Sequence, residues 1–231
     1  AGIDQKLLFC PSCQHGQLHR QIAPGILYDS EHYFFKTSES ATARDGTQLF
    51  VDFLKKLLKG KRPECILDVG CNDLYLLDVL SDMGRYKVGV DPIWSSGRPE
   101  NLKSDTFVYG GTVEDIGFEN NLPQKPDLVV CRHTLEHIFD PVSVIQRIME
   151  ISSEDALFVF EVPAFDSLVK RGRFDQVFHE HLQYFSLHSW RALIERCGAS
   201  LIGMSENYHN WGAVMVGFSK NRIEGSSPLN D

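Results

Sequence analysis

The hydrophobic and polar positions along the chain alternate between short apolar runs and segments with helical spacing. Apolar residues between 47 and 58 recur at i, i+1, i+4 and i+5, which predicts a helix that ends near Gly60 and Pro63. Later runs of four to six apolar residues predict strands at 65–69, 87–90, 106–109, 127–131, 156–160, 201–204 and 213–218. Further helices are predicted at 74–83, from Asp140 and Pro141 onward, and at 189–197.

This alternation predicts an α/β fold. Near-continuous apolar strands joined by helices are typical of a doubly wound, mostly parallel sheet with helices on both faces. The last two strands are close together in the chain, so we expect them to form an antiparallel pair at one edge. Residues 1–45 are expected to form an irregular N-terminal arm that ends in a polar linker, residues 46–220 the main domain, and residues 221–231 a polar tail.

The composition excludes several classes of protein. The 231 residues are 42% hydrophobic and 23% charged, which is ordinary for a folded domain. A net charge of −8 disfavours binding to nucleic acid through phosphate contacts. No apolar run reaches the roughly 18 residues of a membrane helix, and the first residues lack the features of a secretory peptide. We therefore expect a cytoplasmic protein with a small-molecule substrate and neither a nucleic-acid nor a membrane partner.

The six cysteines are too few for a disulfide scaffold in a chain of this length. They are expected to be reduced thiols. Four of them lie in apolar surroundings and are expected in the core, namely Cys65, Cys71, Cys131 and Cys197.

Candidate ligand-binding residues follow the first predicted strand in the order Asp68, Gly70, Asn72. In a doubly wound sheet, ligands bind beyond the carboxyl ends of the strands. Gly70 lacks a Cβ and lets the backbone approach a ligand, and the helix beyond it offers free N–H groups. A dinucleotide fingerprint requires glycine at 70, 72 and 75, so Asn72 and Tyr75 disfavour a nicotinamide cofactor.

Acidic residues follow the second and third predicted strands. Asp91 lies about 20 residues beyond the glycine turn, where a carboxylate can accept hydrogen bonds from both hydroxyls of a ribose. Glu114 and Asp115 are placed to accept from the amine of an adenine while Ile116 packs on the base. The alternative is that these acids only cap helices.

Four segments together resemble the class I S-adenosylmethionine-dependent methyltransferases. ILDVGCND resembles their first motif, GVDP their ribose acid, TVEDI their adenine contact and CRHTLEHIFDP the segment after their fourth strand. The resemblance covers residues 49–218 and implies a Rossmann-like methyltransferase fold. It also implies S-adenosyl-L-methionine as cofactor, bound by Asp68, Gly70, Asn72, Asp91, Glu114, Asp115 and His133. The family usually has glycine where this chain has Leu74.

A second resemblance is to the sugar C-methyltransferases, which act on nucleotide-linked keto-sugars. FDQVFHEHLQYFS, residues 174–186, resembles their FD…HEHxxYFS signature, although Phe178 replaces a tyrosine that is common there. The stretch from CPSC onward resembles part of their zinc-bearing arm. That family has two CxxC pairs and this chain has one, Cys10 and Cys13.

The HEH triplet supplies candidate catalytic groups. Forming a carbanion next to a ketone needs a base, and histidine, with an ordinary pKa near ~6.5, accepts a proton at neutral pH. Because Glu180 and His181 align with residues assigned to catalysis in the family, we predict His181 as the base and Glu180 as its orienting or substrate-binding partner. Alternatively, the triplet is a hydrogen-bonded structural corner. Tyr184, Tyr208 and Trp211 are expected to line the substrate site.

Two metal sites are conceivable from the sequence. Cys10 and Cys13 with His15 and His19 offer thiolate and imidazole ligands that suit Zn, although the spacing is unusual and a half-site is an equal alternative. Residues 133–137 match the H-x-x-E-H pattern of inverted zinc peptidases. The helix start at Asp140 leaves no room for the long helix that such a site needs.

The sequence therefore predicts methyl transfer from S-adenosylmethionine to a small molecule, with carbon methylation of a nucleotide-linked keto-sugar as the leading case. Two alternatives remain open at this point. One is an O- or N-methyltransferase acting on another small metabolite. The other is a catalytically silent module that binds S-adenosylmethionine.

Overall fold

The computed structural model describes residues 4–22, 36–97, 99, 101–114, 117–210, 212–221 and 229–230. The strands are β1 (Leu7–Phe9), β2 (Gly16–Leu18), β3 (Cys65–Val69), β4 (Tyr86–Asp91), β5 (Thr106–Gly110), β6 (Leu128–Arg132), β7 (Leu157–Pro163), β8 (Gln183–Tyr184), β9 (Ser200–Asn207), β10 (Ala213–Ser219) and β11 (Leu229–Asn230). The α-helices are α1 (Ala41–Leu58), α2 (Tyr75–Val79), α3 (Pro141–Ile151), α4 (Phe165–Arg171) and α5 (Leu187–Arg196).

The main sheet confirms the α/β prediction. Among the described residues its order is β11-β9-β10-β7-β6-β3-β4-β5. Strands β5, β4, β3, β6 and β7 pair in parallel, and β10 pairs antiparallel with both β9 and β7. The antiparallel pair therefore exists, but β11 lies outside it, in what the sequence suggested was a polar tail.

Two hydrophobic clusters cover the two faces of this sheet. Alternate residues along each strand face opposite layers, so Leu67 and Ile66 pack into different clusters. On one face Trp190 is fully buried with residues of α3, and on the other Phe50 and Leu54 of α1 are fully buried. Full burial of one such side chain contributes about 1.5–3 kcal/mol. None of the helices described here has the combined length and apolarity that a membrane crossing requires.

Two N-terminal expectations are corrected. The segment expected to be a linker enters α1 at Ala41, because the Ser40 hydroxyl accepts a hydrogen bond from the Ala43 amide at 3.3 Å and caps the helix. The arm is also not irregular throughout, since β1 and β2 form a hairpin that pairs with β8 in a second sheet. Leu18 packs there against Phe165 and Tyr184.

The order in which the chain adds strands to the sheet reverses at β3. From β3 the sheet continues through β4 and β5 on one side, and through β6 and β7 on the other. Neighbouring parallel strands whose connections leave in opposite directions open a crevice at their carboxyl ends, which is where ligands bind in such sheets.

In the loop from β3 into α2, every second residue has a left-handed backbone conformation. Gly70, Asn72 and Leu74 all have positive φ, at 79°, 45° and 66°. The chain therefore adopts at Leu74 the left-handed conformation for which glycine is best suited. The helix that follows is shorter than expected and ends at Val79.

We expect Leu74→Gly to be more stable than Leu74→Ala by about 0.5–1 kcal/mol, the reverse of the order in a helix interior. Both variants lose the packing of the leucine side chain, so their difference isolates the backbone conformation. Urea unfolding of the two purified variants measures it. An alanine variant as stable as the glycine variant would contradict the left-handed assignment.

Candidate functional site

Two adjoining cavities lie at the carboxyl ends of the parallel strands, with volumes of about 580 and 410 Å³. They share lining residues, namely Gly70, Asp91, His133, Thr134 and His137. The first extends toward α1 and the 176–181 segment, and the second extends toward residues 111–114 and Phe139. Together they form one crevice across the point where the strand order reverses.

The glycine turn after β3 is closely packed. The Gly70 amide donates to the Val90 carbonyl at 2.8 Å, and a Cβ at this position would overlap the Thr134 side chain. Asp68 is buried beneath the turn and lines the first cavity. Burial raises the pKa of Asp68 to about 7, against the opposing charge of Arg132.

Asp91 caps a short turn and also lines the crevice. Its carboxylate accepts hydrogen bonds from the Ile93 amide at 3.0 Å and the Asn72 amide at 2.8 Å, so it caps the short turn Pro92–Trp94. The same carboxylate lines both cavities. Burial raises its pKa above the usual value, although these two amides oppose the shift.

The other residues expected to bind the cofactor differ in where they lie. The Asn72 side-chain oxygen accepts from the Thr37 amide at 3.3 Å, which ties the segment before α1 to the rim of the first cavity. Glu114 is exposed and lines the second cavity. Asp115 lies outside the described residues.

A buried ion pair joins the ends of β6 and β7. Arg132 donates through Nε to the Glu161 carboxylate at 2.5 Å, and through a terminal nitrogen to the Thr47 hydroxyl at 2.8 Å. The second Glu161 oxygen accepts from the side-chain amides of Asn207 and Asn210, each at 2.8 Å. Burial alone would raise the pKa of Glu161, but the charge of Arg132 and the His133 imidazole outweigh it and lower the pKa to about 2.

His133 begins a tight turn into the crevice. It has φ of 49°, and its amide donates to the Glu161 carbonyl at 2.8 Å. Its ring lies between two carboxylates, with Nδ1 3.6 Å from Glu136 and Nε2 3.6 Å from Glu161. Burial disfavours charge on the ring, but these carboxylates outweigh it and raise the pKa of His133 to about 9.

Glu136 is the most unusual acid of the site. It is 1% exposed, and neither carboxylate oxygen has a hydrogen-bond partner among the described residues. Burial alone would raise its pKa, but the surrounding imidazoles of His133, His137 and His181 lower it. It lies in the short 3₁₀ turn Leu135–His137, so the long helix of an inverted zinc peptidase is absent from this segment.

The HEH segment reaches the same cavity from the other side. His181 is buried, and its Nδ1 lies 3.2 Å from the Gln176 carbonyl. Burial lowers the pKa of His181 to about 4, so the ring is neutral at neutral pH. Glu180 also lines the cavity, and its backbone carbonyl lies 2.9 Å from Nδ1 of His137.

The aromatic residues expected around the substrate are arranged differently. Tyr184 is buried and Tyr208 is 62% exposed, and neither lines the two cavities. Trp211 lies outside the described residues. Phe178, which replaces the tyrosine of the sugar C-methyltransferases, does line the first cavity and packs on His181 with ring centroids 4.2 Å apart.

The four residues of the conceivable zinc site in the arm do not converge. Hydrogen bonds from Cys13 lower the pKa of the Cys10 thiol, so the two cysteines are neighbours. The His15 ring instead lies 2.8 Å from the Gln183 side-chain oxygen. Among the described residues, Cys10, Cys13, His15 and His19 do not form a cluster of three metal-ligand atoms.

Sequence reasoning missed two buried acids that organise this site. Glu161 is a single charged residue inside the apolar run LFVFEVP, and such an isolated acid in a buried strand is a signal that it must have a partner. In the sequence, Glu136 stands out only as part of the peptidase-like pattern at residues 133–137. Its importance depends on the 178–181 segment, which is distant in the sequence.

Comparison with known proteins finds similarity to methyltransferases. Residues 42–202 match a family model described as a methyltransferase domain. C-methyltransferase NovU of Streptomyces niveus is 26% identical over 91% of this chain and 50% of its own length. A ubiquinone biosynthesis O-methyltransferase of Actinobacillus pleuropneumoniae serotype 7 is 25% identical over 48% of this chain and 51% of its own length. The chain thus spans about half the length of these relatives.

Among solved structures, the chain is similar to N-methyltransferase NodS from Bradyrhizobium japonicum in complex with S-adenosylhomocysteine. The TM-score is 0.55 with 10% sequence identity, over 78% of this chain and 87% of NodS. At this identity the similarity establishes the fold.

We expect Glu161→Gln to lower the free energy of unfolding by about 3–5 kcal/mol, because it breaks a buried ion pair and turns an amide toward groups that are already donors. Glu206→Gln is the matched control, since Glu206 pairs with Arg171 at 3.3 Å while 58% exposed. That variant should lose less than about 1 kcal/mol. Equal effects of the two substitutions in urea unfolding would refute the structural role of Glu161.

Proposed function

Because the chain belongs to the family of methyltransferase domains, we propose that it transfers a methyl group from S-adenosylmethionine to a small-molecule acceptor. The observation that carries this proposal is the crevice at the reversal of strand order, where Gly70 and Asp91 stand at the ends of adjacent strands. We also propose a cytoplasmic location, which the free state of all six cysteines supports.

The residues of the crevice fit the cofactor. The packed Gly70 turn brings backbone close to a ligand without a side chain in between, and the Asp91 carboxylate is placed for the two ribose hydroxyls. Glu114 lines the second cavity, into which the adenine would extend, and Asp115 is proposed beside it. Asp68, Asn72 and His133 line the first cavity, where they would hold the amino-acid part.

The acceptor side is formed by the HEH segment. When bound, S-adenosylmethionine supplies a methyl group on a positively charged sulfur. A carbon acceptor must lose a proton to receive it, and we assign that proton to His181. A carbonyl oxygen only accepts hydrogen bonds, so Nδ1 of His181 donates to Gln176 and Nε2 retains the lone pair that takes the proton. Glu180 orients the acceptor from the same wall.

We propose a carbon acceptor, next to the carbonyl of a nucleotide-linked keto-sugar, as the substrate class. The support is the similarity to NovU, which extends over 91% of this chain, together with the HEH segment at the cavity. An oxygen acceptor is the second candidate, and the ubiquinone O-methyltransferase relative favours it. Locating the new methyl group in the product by NMR separates the two.

We expect Asp91→Ala to weaken binding of S-adenosylhomocysteine by roughly tenfold to several hundredfold, since one charge-assisted hydrogen bond contributes ~1.5–3 kcal/mol. Isothermal titration calorimetry measures this affinity. Asp127→Ala is the matched control, because Asp127 also accepts from two backbone amides, Glu64 and Cys65, but at the amino ends of the parallel strands. An unchanged affinity in Asp91→Ala, or an equal loss in the control, would overturn the cofactor assignment.

We expect His181→Ala to lower turnover by ~10²–10⁴-fold with little change in cofactor affinity, as is usual when a general base is removed. The control is His188→Ala, which removes an exposed histidine from α5. Both variants are assayed by product formation and by calorimetry with S-adenosylhomocysteine. Full turnover in His181→Ala would show that the acceptor needs no base, and loss of folding would favour the structural-corner alternative.

A further inference from the structure

We infer that Glu136, His137 and His181 form a binding site for a divalent transition-metal ion such as Zn²⁺, at the acceptor end of the first cavity. For the role of the ion, but not for its binding, the inference rests on the second candidate of the proposed function, the oxygen acceptor. Among the described residues, these three side chains are the group whose ligand atoms all lie within 4.8 Å of one another. All three line the cavity.

The donor set is chemically suited to such an ion. Two imidazoles and one carboxylate are the protein ligands of a class of catalytic zinc sites, and of divalent iron sites that keep open positions. Structural zinc sites are instead closed by four protein ligands. The set found here therefore indicates an ion with positions left for a further ligand.

The state of Glu136 is an independent indication. Within the described part of the chain its two oxygens are buried without a hydrogen-bond partner, and Oε1 lies 3.6 Å from Nδ1 of His133 and 3.9 Å from Nε2 of His137. Buried carboxylates are normally hydrogen-bonded, because an unsatisfied buried charge is strongly unfavourable. A cation between this carboxylate and the imidazoles supplies the missing interaction.

The histidines are oriented as metal ligands usually are. Nδ1 of His137 lies 2.9 Å from the Glu180 carbonyl, and Nδ1 of His181 lies 3.2 Å from the Gln176 carbonyl. Each Nδ1 must therefore donate, which leaves Nε2 as the coordinating atom in both rings. Metal-bound histidines characteristically donate their other nitrogen to a carbonyl or carboxylate in this way.

The two segments that carry the ligands are fixed to each other. The Leu182 amide donates to the Glu136 carbonyl at 2.7 Å, and the Gln183 side chain donates to the Ile138 and Phe139 carbonyls. With bonds of ~2.0–2.1 Å, ligand atoms around a tetrahedral ion are about 3.3 Å apart. The separation of 3.9 Å between Glu136 and His137 needs to close by less than an ångström, and a pair at the 4.8 Å limit of the group by about 1.5 Å.

The three side chains line the same cavity as Gly70 and Asp91, so a ligand in that cavity could reach an ion bound by them. The open positions of the ion would suit an acceptor that binds through a hydroxyl oxygen, whose proton passes to water as the oxygen coordinates and which then takes the methyl group. In this state Nε2 of His181 is a ligand. The ion would stabilise the negative charge on the acceptor oxygen, and it would compete with the role of His181 as base for a carbon acceptor.

The test is titration of the full, metal-free chain with Zn²⁺ by calorimetry, and with Co²⁺ by visible absorption. We expect one ion per chain, and a loss of affinity of at least about tenfold in Glu136→Gln and in His137→Gln. Two variants are used because either substitution alone can disturb folding, which thermal melting checks. Cys10→Ser/Cys13→Ser and His188→Ala are controls that should bind the ion like the unmodified chain.

Three results would overturn the inference: no bound ion, unchanged affinity in a folded Glu136→Gln or His137→Gln variant, or loss of the ion in the double cysteine variant. A thiolate charge-transfer band with Co²⁺ would likewise assign the ion to Cys10 and Cys13. Calorimetry with S-adenosylhomocysteine on the same preparations keeps the two proposals apart. Its failure would contradict the proposed function and leave ion binding standing.

Discussion

The buried ion pair between Arg132 and Glu161 is the interaction on which the rest of the site depends. The carboxylate accepts hydrogen bonds from two asparagines near the end of β9, and Arg132 reaches Thr47 on α1, so one charge pair joins three strands and a helix. The Glu161 carbonyl also holds the His133 amide at the start of the turn into the crevice. Because this turn positions residues 134–137, the geometry of the acceptor side follows from the pair.

The proposed function divides the crevice into two ends, one for the cofactor and one for the acceptor. The loops after β3 and β4 form one end, where Asp91 holds the backbone of both loops through its two oxygens. The turn after β6 and the HEH segment form the other, linked by the hydrogen bond from Leu182 to Glu136. A fixed cofactor end with a variable acceptor end is how one fold serves many substrates, and Phe178 is a feature of the acceptor end.

Much of the fold could be predicted because its signals are local. Apolar runs identify the strands and helical spacing identifies the helices. The reversal of strand order at β3 then places Gly70 and Asp91 together at the carboxyl ends of the strands. The left-handed conformation of Leu74 could not be predicted, since tertiary packing here overrides the preference of leucine. Glu136 and His181 come together through contacts between segments about 45 residues apart in the sequence, and no local sequence pattern predicts such contacts. The same applies to Glu161 and its asparagines.

The most direct test of the central claim is a crystal structure of the chain bound to S-adenosylhomocysteine. We predict that the ribose hydroxyls lie on the Asp91 carboxylate, that the adenine occupies the cavity lined by Glu114, and that the sulfur faces His181 across the first cavity. A nucleoside bound outside this crevice, or a sulfur turned away from the 178–181 segment, would contradict the account.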